Sequence, residues 1–170
     1  MKKRMTQGGA TLIEQLLGIT IMGILLSVGI PMSNKWIHQY RVTAATNSLL
    51  GGIYNARGIA LVSGRSHICD ANYNCERFEP TQTIMIGADM NKNGRIDSND
   101  ATRIIQLPTD TWVHWRRFRG HALTFHGNGI SHYQNGHFLV CNQHYARKII
   151  MNWAGRTRIE ESKDNPCAEL

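Results

Sequence analysis

Two arginines near the end of the chain have the type and spacing needed to bind phosphate groups. The segment WAGRTRI carries Arg156 and Arg158 two positions apart. Side chains alternate along an extended segment, so both guanidinium groups point to the same side, roughly 7 Å apart. Each can form paired hydrogen bonds to a phosphate, so together they could bridge adjacent phosphates of a nucleic-acid backbone. Gly155 leaves the approach open and allows a tight turn.

The same pattern has a structural alternative, because arginines on an exposed sheet edge prevent edge-to-edge pairing. Other basic residues could extend a binding field. Five of them lie upstream of the pair: Arg147 and Lys148, and earlier Arg116, Arg117 and Arg119. The formal net charge of +7 permits polyanion binding without requiring it.

A second pattern, DMNKNGRIDSND, fits a calcium-binding loop with Gly94 at its sharp turn. Alternate side chains supply the oxygen ligands: Asp89, Asn91, Asn93, Asp97 and Asp100. The preceding TIMIG indicates a strand rather than a helix, and aspartate stands where glutamate is usual at the last position. The alternative is a hairpin turn in which Asn and Asp side chains bond to their own backbone.

The histidines show neither an H-E-x-x-H motif nor a paired helical spacing, so a zinc site would have to be assembled across strands. We expect them on or near the surface of a sheet: His114, His121, His126, His132, His137 and His144. No nucleophile elbow, P-loop or dinucleotide-binding motif occurs. We therefore expect no enzyme and, calcium aside, no cofactor.

Four cysteines occur without C-x-x-C metal spacing, which in a chain exported from the cytoplasm indicates two disulfides. Three pairings are possible, and local pairing favours Cys69–Cys75 and Cys141–Cys167. The second bond would pin the C-terminal tail to the sheet. It would thereby give Arg156 and Arg158 a rigid mount.

The elements that must position these residues begin with a basic leader and an apolar run that carries Glu14 near its head. As a helix at ~1.5 Å per residue, residues 12–30 span roughly 29 Å, about one hydrocarbon core. The preceding basic residues orient the N-terminus toward the cytoplasm. A carboxylate in a bilayer costs about 2.5–3.5 kcal/mol, so Glu14 needs a partner. Cleavage between Gly9 and Ala10 would create an α-amino group four residues away; the alternative is a simple signal anchor.

Beyond the apolar run, Pro31 should kink the helix without ending it. Apolar residues then recur at spacings of three and four: Val42, Ala45, Leu49, Ile53, Ala56 and Ala60. This periodicity predicts an amphipathic helix to about Val62, weakened in its middle by Gly51 and Gly52 and stopped by Gly64. Seven short β-rich runs follow, so we expect an α+β fold with one antiparallel sheet or a pair of sheets on which the helix lies.

The N-terminal segment resembles the class III signal of type IV pilins and type II secretion pseudopilins. Counting from Ala10, Glu14 is the fifth residue and Pro31 the twenty-second, as in that family. The resemblance implies cleavage after Gly9 by a prepilin peptidase, N-methylation of Ala10 and helix assembly into a filament core. Most members have phenylalanine where this chain has Ala10. The expected organisation is a leader at 1–9, a transmembrane and filament-core helix at 10–35 and a periplasmic domain at 36–170.

The C-terminal part, with HFLVC, RKIIMNW and GRTR, resembles the FimT/GspH group of minor pilins, and FimT most closely. In the FimT branch a GRxR motif is associated with DNA binding during natural transformation, and it maps here onto Gly155, Arg156 and Arg158. The resemblance implies a type IV pilin-like fold. It also implies double-stranded DNA, other major and minor pilins, and the inner membrane as partners. The alternative is a structural GspH-like pseudopilin or pilus-tip subunit that binds no DNA.

Overall fold

The computed structural model describes residues 11–72, 75, 76, 78–97, 100 and 102–168, except for the side chains of residues 28–33 and 102. The chain divides into two compact units, Met1–Ile37 and His38–Leu170. One helix, α1 (Leu12–Ser63), includes residues of both units. It is unbroken at Pro31, as predicted. It ends where Gly64 adopts a φ of +88° and donates its N–H to the carbonyl of Ala60 over 2.8 Å, which is the predicted stop.

Helix α1 begins with a capping box between Thr11 and Glu14. The carboxylate of Glu14 accepts hydrogen bonds from the N–H of Thr11 at 2.8 Å and from its hydroxyl at 3.0 Å. These bonds satisfy groups that a helix start leaves unpaired. The carboxylate of Glu14 therefore has a local partner besides the predicted amine of Ala10. Gly9 and Ala10 lie outside the described residues, so their cleavage and methylation stay predictions.

In the unit Met1–Ile37, the described part of α1 exposes its large apolar side chains. Leu12 is 79% exposed, and Ile19 and Leu25 are similarly open. Within the described residues, no helical stretch is both long enough and apolar enough to span a membrane. The exposed surface nonetheless indicates a segment whose apolar side chains have no packing partner within the described part of the chain.

In the unit His38–Leu170, the described residues form two four-stranded antiparallel sheets. The strands are β1 (Arg65–Asp70), β2 (Thr83–Ala88), β3 (Thr102–Gln106), β4 (Trp112–Arg116), β5 (Leu123–His126), β6 (Gly136–Cys141), β7 (Ala146–Met151) and β8 (Thr157–Glu161). The first sheet has the order β3-β2-β1-β5 and the second the order β4-β6-β7-β8. The second sheet thus places β8, which carries Arg158, at an edge.

The predicted stripe of α1 and the inner faces of both sheets share one hydrophobic core. All six stripe residues are fully buried: Val42, Ala45, Leu49, Ile53, Ala56 and Ala60. The first sheet contributes Ile68 and Ile86, and the second contributes Phe138 and Ile149. The predicted α+β class is therefore confirmed, and of the two predicted alternatives, one antiparallel sheet or a pair, the structure has the pair. The arrangement is compatible with a pilin-like fold.

The two adjacent glycines of α1 have different surroundings. Gly51 is exposed, and a Cβ there would meet nothing within 4 Å. Gly52 is buried, and its Cβ would lie 2.7 Å from Cδ1 of Ile105 and 2.8 Å from Cδ1 of Ile86. Gly52 therefore permits close approach of the helix to the first sheet, which the sequence pattern interpreted only as a weakness of the helix.

This contrast predicts different stabilities for two alanine variants. Gly51→Ala should raise the free energy of unfolding by about 1 kcal/mol, the usual helix-propensity gain. Gly52→Ala should be less stable than Gly51→Ala by about 1 kcal/mol or more, because two buried isoleucines must leave their rotamers. Urea unfolding of the two variants would measure the difference, and equal effects would contradict it.

Candidate nucleic-acid interface

The GRTR segment spans the end of the β7–β8 turn and the start of β8, and Asn152 organises the turn. The carbonyl of Asn152 accepts a hydrogen bond from Gly155 N–H at 2.9 Å, and its side-chain oxygen accepts one from Arg156 N–H at 3.0 Å. Asn152 N–H in turn donates to the carbonyl of Arg156 at 3.2 Å. The backbone of the turn is therefore held in one conformation by its first residue.

Gly155 is required in this turn for two reasons. It has a φ of +74°, in the left-handed region that favours glycine. It is also buried, and a Cβ would lie 3.1 Å from Phe125 Cε1 and 3.4 Å from the carbonyl oxygen of Gly129. The missing side chain thus makes room for packing against the protein. The prediction that Gly155 leaves the approach open for a ligand is therefore corrected, whereas the predicted tight turn is present.

The β5–β6 connection supports the turn from outside. Trp153 donates its N–H to the side-chain oxygen of Asn135 at 2.7 Å and accepts from Ser131 N–H at 3.0 Å. Helix α1 contributes Arg57, whose Nη1 lies 3.7 Å from the Cβ position of Gly155. Sequence reasoning missed Arg57 because it lies far from the turn along the chain, and only the packing of helix on turn brings them together.

Arg156 and Arg158 are both exposed, and Arg158 has an acidic neighbour on its own strand. Nε of Arg158 lies 2.9 Å from a carboxylate oxygen of Glu160, with the two side chains 70% and 47% exposed. An exposed ion pair of this kind contributes only about 0–1 kcal/mol. Glu160 therefore lowers the local positive charge without holding Arg158 firmly.

The predicted pair Arg147 and Lys148 lies on opposite faces of the second sheet. In the register of the second sheet, Arg147 lies between Val140 and Glu161, whereas Lys148 lies between Leu139 and Glu160. Val140 belongs to the core, so Arg147 is on the core side, and its Nε is buried without a hydrogen bond to any described residue. Lys148 is on the outer face, 3.5 Å from a carboxylate oxygen of Asp164. Consecutive strand residues alternate between faces, which separates them.

In the Asp89 loop, each described member makes Asx-type contacts within the protein. The carboxylate of Asp89 is fully buried and accepts from His67 Nε2 at 2.8 Å, from Gly94 N–H at 3.1 Å and from Asn93 N–H at 3.0 Å. An oxygen of Asp97 accepts from the side-chain amides of Asn91 and Asn93 at 2.7 and 2.9 Å. An oxygen of Asp100 accepts from Asp97 N–H at 2.8 Å. The loop thus brings the predicted ligands together, but Asp89 is turned toward His67.

Burial alone would raise the pKa of Asp89, but hydrogen bonds from His67, Gly94 and Asn93 and the charge of His67 lower it below its ordinary value of 3.8. Arg65 lies 3.7 Å away as a further cation. The carboxylate form is therefore the one that the fold stabilises.

The histidines are dispersed over several environments. Among the described residues, one triad has ligand atoms close enough for a metal, His114 with Cys141 and Cys167, but these cysteines form a disulfide and offer no thiolate. Burial, followed by the charge of Arg116, lowers the pKa of His114. His126 and His132 lie with ring centroids 5.0 Å apart. Five histidines of the predicted group lie with exposed or partly exposed side chains in loops or at strand ends: His121, His126, His132, His137 and His144.

Both favoured disulfides are present, Cys69–Cys75 and Cys141–Cys167. Contrary to the prediction, the Cys141–Cys167 disulfide does not support the turn near Arg156 and Arg158. Cys141 pairs with Ala146 at one end of the sheet, whereas Met151 and Thr157 flank the turn at the opposite end. The bond instead fixes the tail around Cys167 to the outer face.

These features define an α+β protein with a long N-terminal helix packed on antiparallel sheets. Residues 45–155 match the family described as type II transport protein GspH. The match covers more than half of the chain, and the chain therefore belongs to the GspH family. The predicted FimT/GspH group is thereby confirmed at the level of GspH, while a specific likeness to FimT is not shown. No curated protein and no solved structure matches the chain significantly.

The family match begins within α1 and ends at Gly155. Arg156 and Arg158 therefore lie beyond it, as do Glu14 and Cys167. Membership supports a structural, pseudopilin-type role and not an enzymatic one. The arginine pair needs an argument of its own.

The buried carboxylate of Asp89 predicts how the free energy of unfolding falls at acid pH. Because its folded pKa lies below 3.8, the stabilisation is present above about pH 4 and is lost as the pH falls through the folded pKa. Asp89→Asn should lower the free energy of unfolding at pH 7 by about 1–3 kcal/mol and flatten its fall between pH 4 and 2. Urea titrations across this range would measure both, with Asp164→Asn as a control for loss of one exposed carboxylate. If the free energy of unfolding of Asp89→Asn fell between pH 4 and 2 as steeply as that of the wild type, the stabilising role of the Asp89 carboxylate would be contradicted.

Calcium binding by the Asp89 loop stays a prediction, and the structure specifies its consequence. A bound ion must compete with His67 for the oxygens of Asp89, so calcium should shift the His67 ring resonances and raise the melting temperature. Asp97→Asn should abolish both effects. Calorimetry without calcium heat, together with an unshifted melting temperature, would dismiss the site.

Proposed function

We propose that this member of the GspH family is a minor pilin that binds double-stranded DNA without sequence specificity through Arg156 and Arg158. The observation that carries the proposal is the β7–β8 turn, which presents the exposed Arg156 and leads directly into β8, where Arg158 is also exposed. Asn152 and Gly155 fix its backbone, so little conformational entropy is lost when the arginines engage a ligand. Guanidinium groups suit phosphate oxygens because each can donate paired hydrogen bonds.

Such contacts position a duplex but read no bases. Releasing counterions from two to four phosphates would give a log–log salt slope of roughly −2 to −4. Binding should therefore be weak to moderate and strongly salt-dependent. Within a filament, several copies could hold one DNA molecule and so support uptake in natural transformation.

The filament role rests on the N-terminal half of α1. Its exposed apolar side chains would pack against the equivalent helices of other major and minor pilins after a prepilin peptidase has cut between Gly9 and Ala10. Before assembly the same segment would anchor the chain in the inner membrane with residues 36–170 in the periplasm. Glu14 would then exchange its bonds to Thr11 for the α-amino group of Ala10 or of a neighbouring subunit.

A second candidate is a structural pseudopilin of a type II secretion or pilus system that binds no DNA. The position of β8 at a sheet edge and the Arg158–Glu160 pair favour it, since both fit a polar edge that prevents strand pairing. Both candidates share the association with other pilins. They differ in whether the exposed arginines have a polyanionic ligand.

Two variants in the turn and in β8 separate the candidates. Arg156→Gln with Arg158→Gln should abolish DNA shifts in a gel, because the two principal phosphate contacts are lost. Glu160→Gln should strengthen binding several-fold, because it removes the carboxylate that competes with phosphate for Arg158. Fluorescence anisotropy with a duplex at two salt concentrations would quantify both effects in the full chain in detergent.

The matched control is Lys92→Gln with Arg103→Gln, which removes two exposed cations near β2 and β3 of the other sheet. It should bind DNA nearly as the wild type does. Retained binding by the Arg156 and Arg158 variant with unchanged circular dichroism would overturn the proposed site. Absence of binding by the wild type would leave the structural pseudopilin as the function.

A further inference from the structure

The outer face of the second sheet aligns basic residues from three strands in one cross-strand row. Arg116 of β4 pairs with His137 of β6, His137 pairs with Ile150 of β7, and Ile150 pairs with Arg158 of β8. Directly paired residues of antiparallel strands lie on the same face. Three strand spacings of ~4.8 Å place the Cα atoms of Arg116 and Arg158 about 14 Å apart.

A cavity of about 680 Å³ opens on this face, beside the row. Its walls include Arg116, Arg117, His137 and Lys148, with Asp164 contributed by the tail. Three fixed positive charges therefore face one carboxylate. Arg116 and Arg117 are exposed at the end of β4.

The tail wall is itself held in place. Cys167 is bonded to Cys141 of β6, and Asn165 donates its side-chain amide to the carbonyl of Asn142 at 2.9 Å. Asp164 is 84% exposed and stands 3.5 Å from the amine of Lys148. The cavity is thus a formed feature of the sheet and the tethered tail, with a weakly bound acid at its rim.

We propose that this cavity is a second phosphate-binding subsite, so that a DNA backbone crosses the strands from Arg158 toward Arg116 rather than following the β7–β8 hairpin. This inference rests on the proposed DNA-binding function and adds the path of the ligand. The separation of about 14 Å is about twice the ~7 Å spacing at which two guanidinium groups would bridge adjacent phosphates. Lys148 lies on the same face of β7, two residues from Ile150 of this row, and would contact phosphates between the two arginines.

His137 makes the subsite sensitive to pH. Burial lowers the pKa of His137 below 6.5, and the charges of Lys148, Arg117 and Arg116 lower it further, against an opposing effect of Asp164. Arg158 lies in the same row, two strands away. A phosphate in the cavity would offset these cations and favour the imidazolium, so binding should strengthen as the pH falls below about 6.5.

The subsite is tested with Arg116→Gln and Arg117→Gln together in the full chain in detergent. Each phosphate contact contributes about 0.9 to the salt slope, so the slope should become less steep by about 1–2. If the lost phosphate contacts contribute nothing to affinity at 1 M salt, this change in slope corresponds to a loss of affinity of about 10- to 60-fold at 0.1 M salt. The variant Lys92→Gln with Arg103→Gln, which removes equal charge from the other sheet, should keep the wild-type slope.

The result that overturns the subsite is distinct from failure of the proposed function. If Arg156→Gln with Arg158→Gln abolishes binding while Arg116→Gln with Arg117→Gln keeps the wild-type slope and affinity, the turn binds DNA and the cavity does not. If the wild type binds no duplex, both proposals are wrong. Loss in both variants, with binding retained in the control, supports both.

A second measurement tests phosphate binding in the cavity through His137. The pKa of His137, followed by its ring proton resonance, should rise when a 12-base-pair duplex is added. His137→Gln should lose part of the affinity gain between pH 7.5 and 5.5, whereas His121→Gln, at an exposed loop position, should retain it. An unmoved His137 resonance in DNA-saturated protein would overturn the subsite.

Discussion

The burial of one apolar stripe of α1 between two sheets is the constraint on which the rest of the structure depends. Every stripe residue from Val42 to Ala60 is fully buried, and each sheet contributes its inner face to the same core. Removing this much apolar surface from water provides the main driving force for folding. Gly52 shows how close the contact is, because even a methyl group would touch two isoleucines of the first sheet.

This packing also determines where charge can be displayed. The inner faces of the sheets are occupied by the core, so basic residues of the second sheet concentrate on its outer face and at its β8 edge. The turn that carries Arg156 lies against Phe125 and Arg57, which tie it to the first sheet and to the helix. The arginine pair is therefore presented by a surface that the core makes rigid.

The acidic residues determine how strongly this surface attracts a polyanion. Glu160 and Asp164 each stand near a basic side chain, and both are substantially exposed. Such pairs are screened by water and salt, so they moderate the field rather than abolish it. Asp89, by contrast, is buried, and its hydrogen bonds with His67 and with the backbone of its own loop stabilise the folded state.

The sequence by itself determined the α+β class and the course and end of α1, and it favoured, among three possible pairings, the two disulfides that the structure contains. The helix depends on local signals, namely helical periodicity and the stop at Gly64, whereas the disulfides followed from a preference for pairing cysteines that are nearest in sequence. Strand β8 was missed as a regular element because its polar residues, such as Arg158 and Glu160, lack an apolar alternation. Glu14 was recognised as unusual, but its bonds to Thr11 were not foreseen.

Only the tertiary structure decided which residues of the candidate site share a face. Arg147 and Lys148 are neighbours in sequence, yet strand alternation and register send one toward the core and the other toward Asp164. Arg116, His137 and Arg158 are far apart in sequence, yet strand pairing puts them in one row. Register between distant strands depends on the packing of the whole sheet on the helix, and no local pattern encodes it.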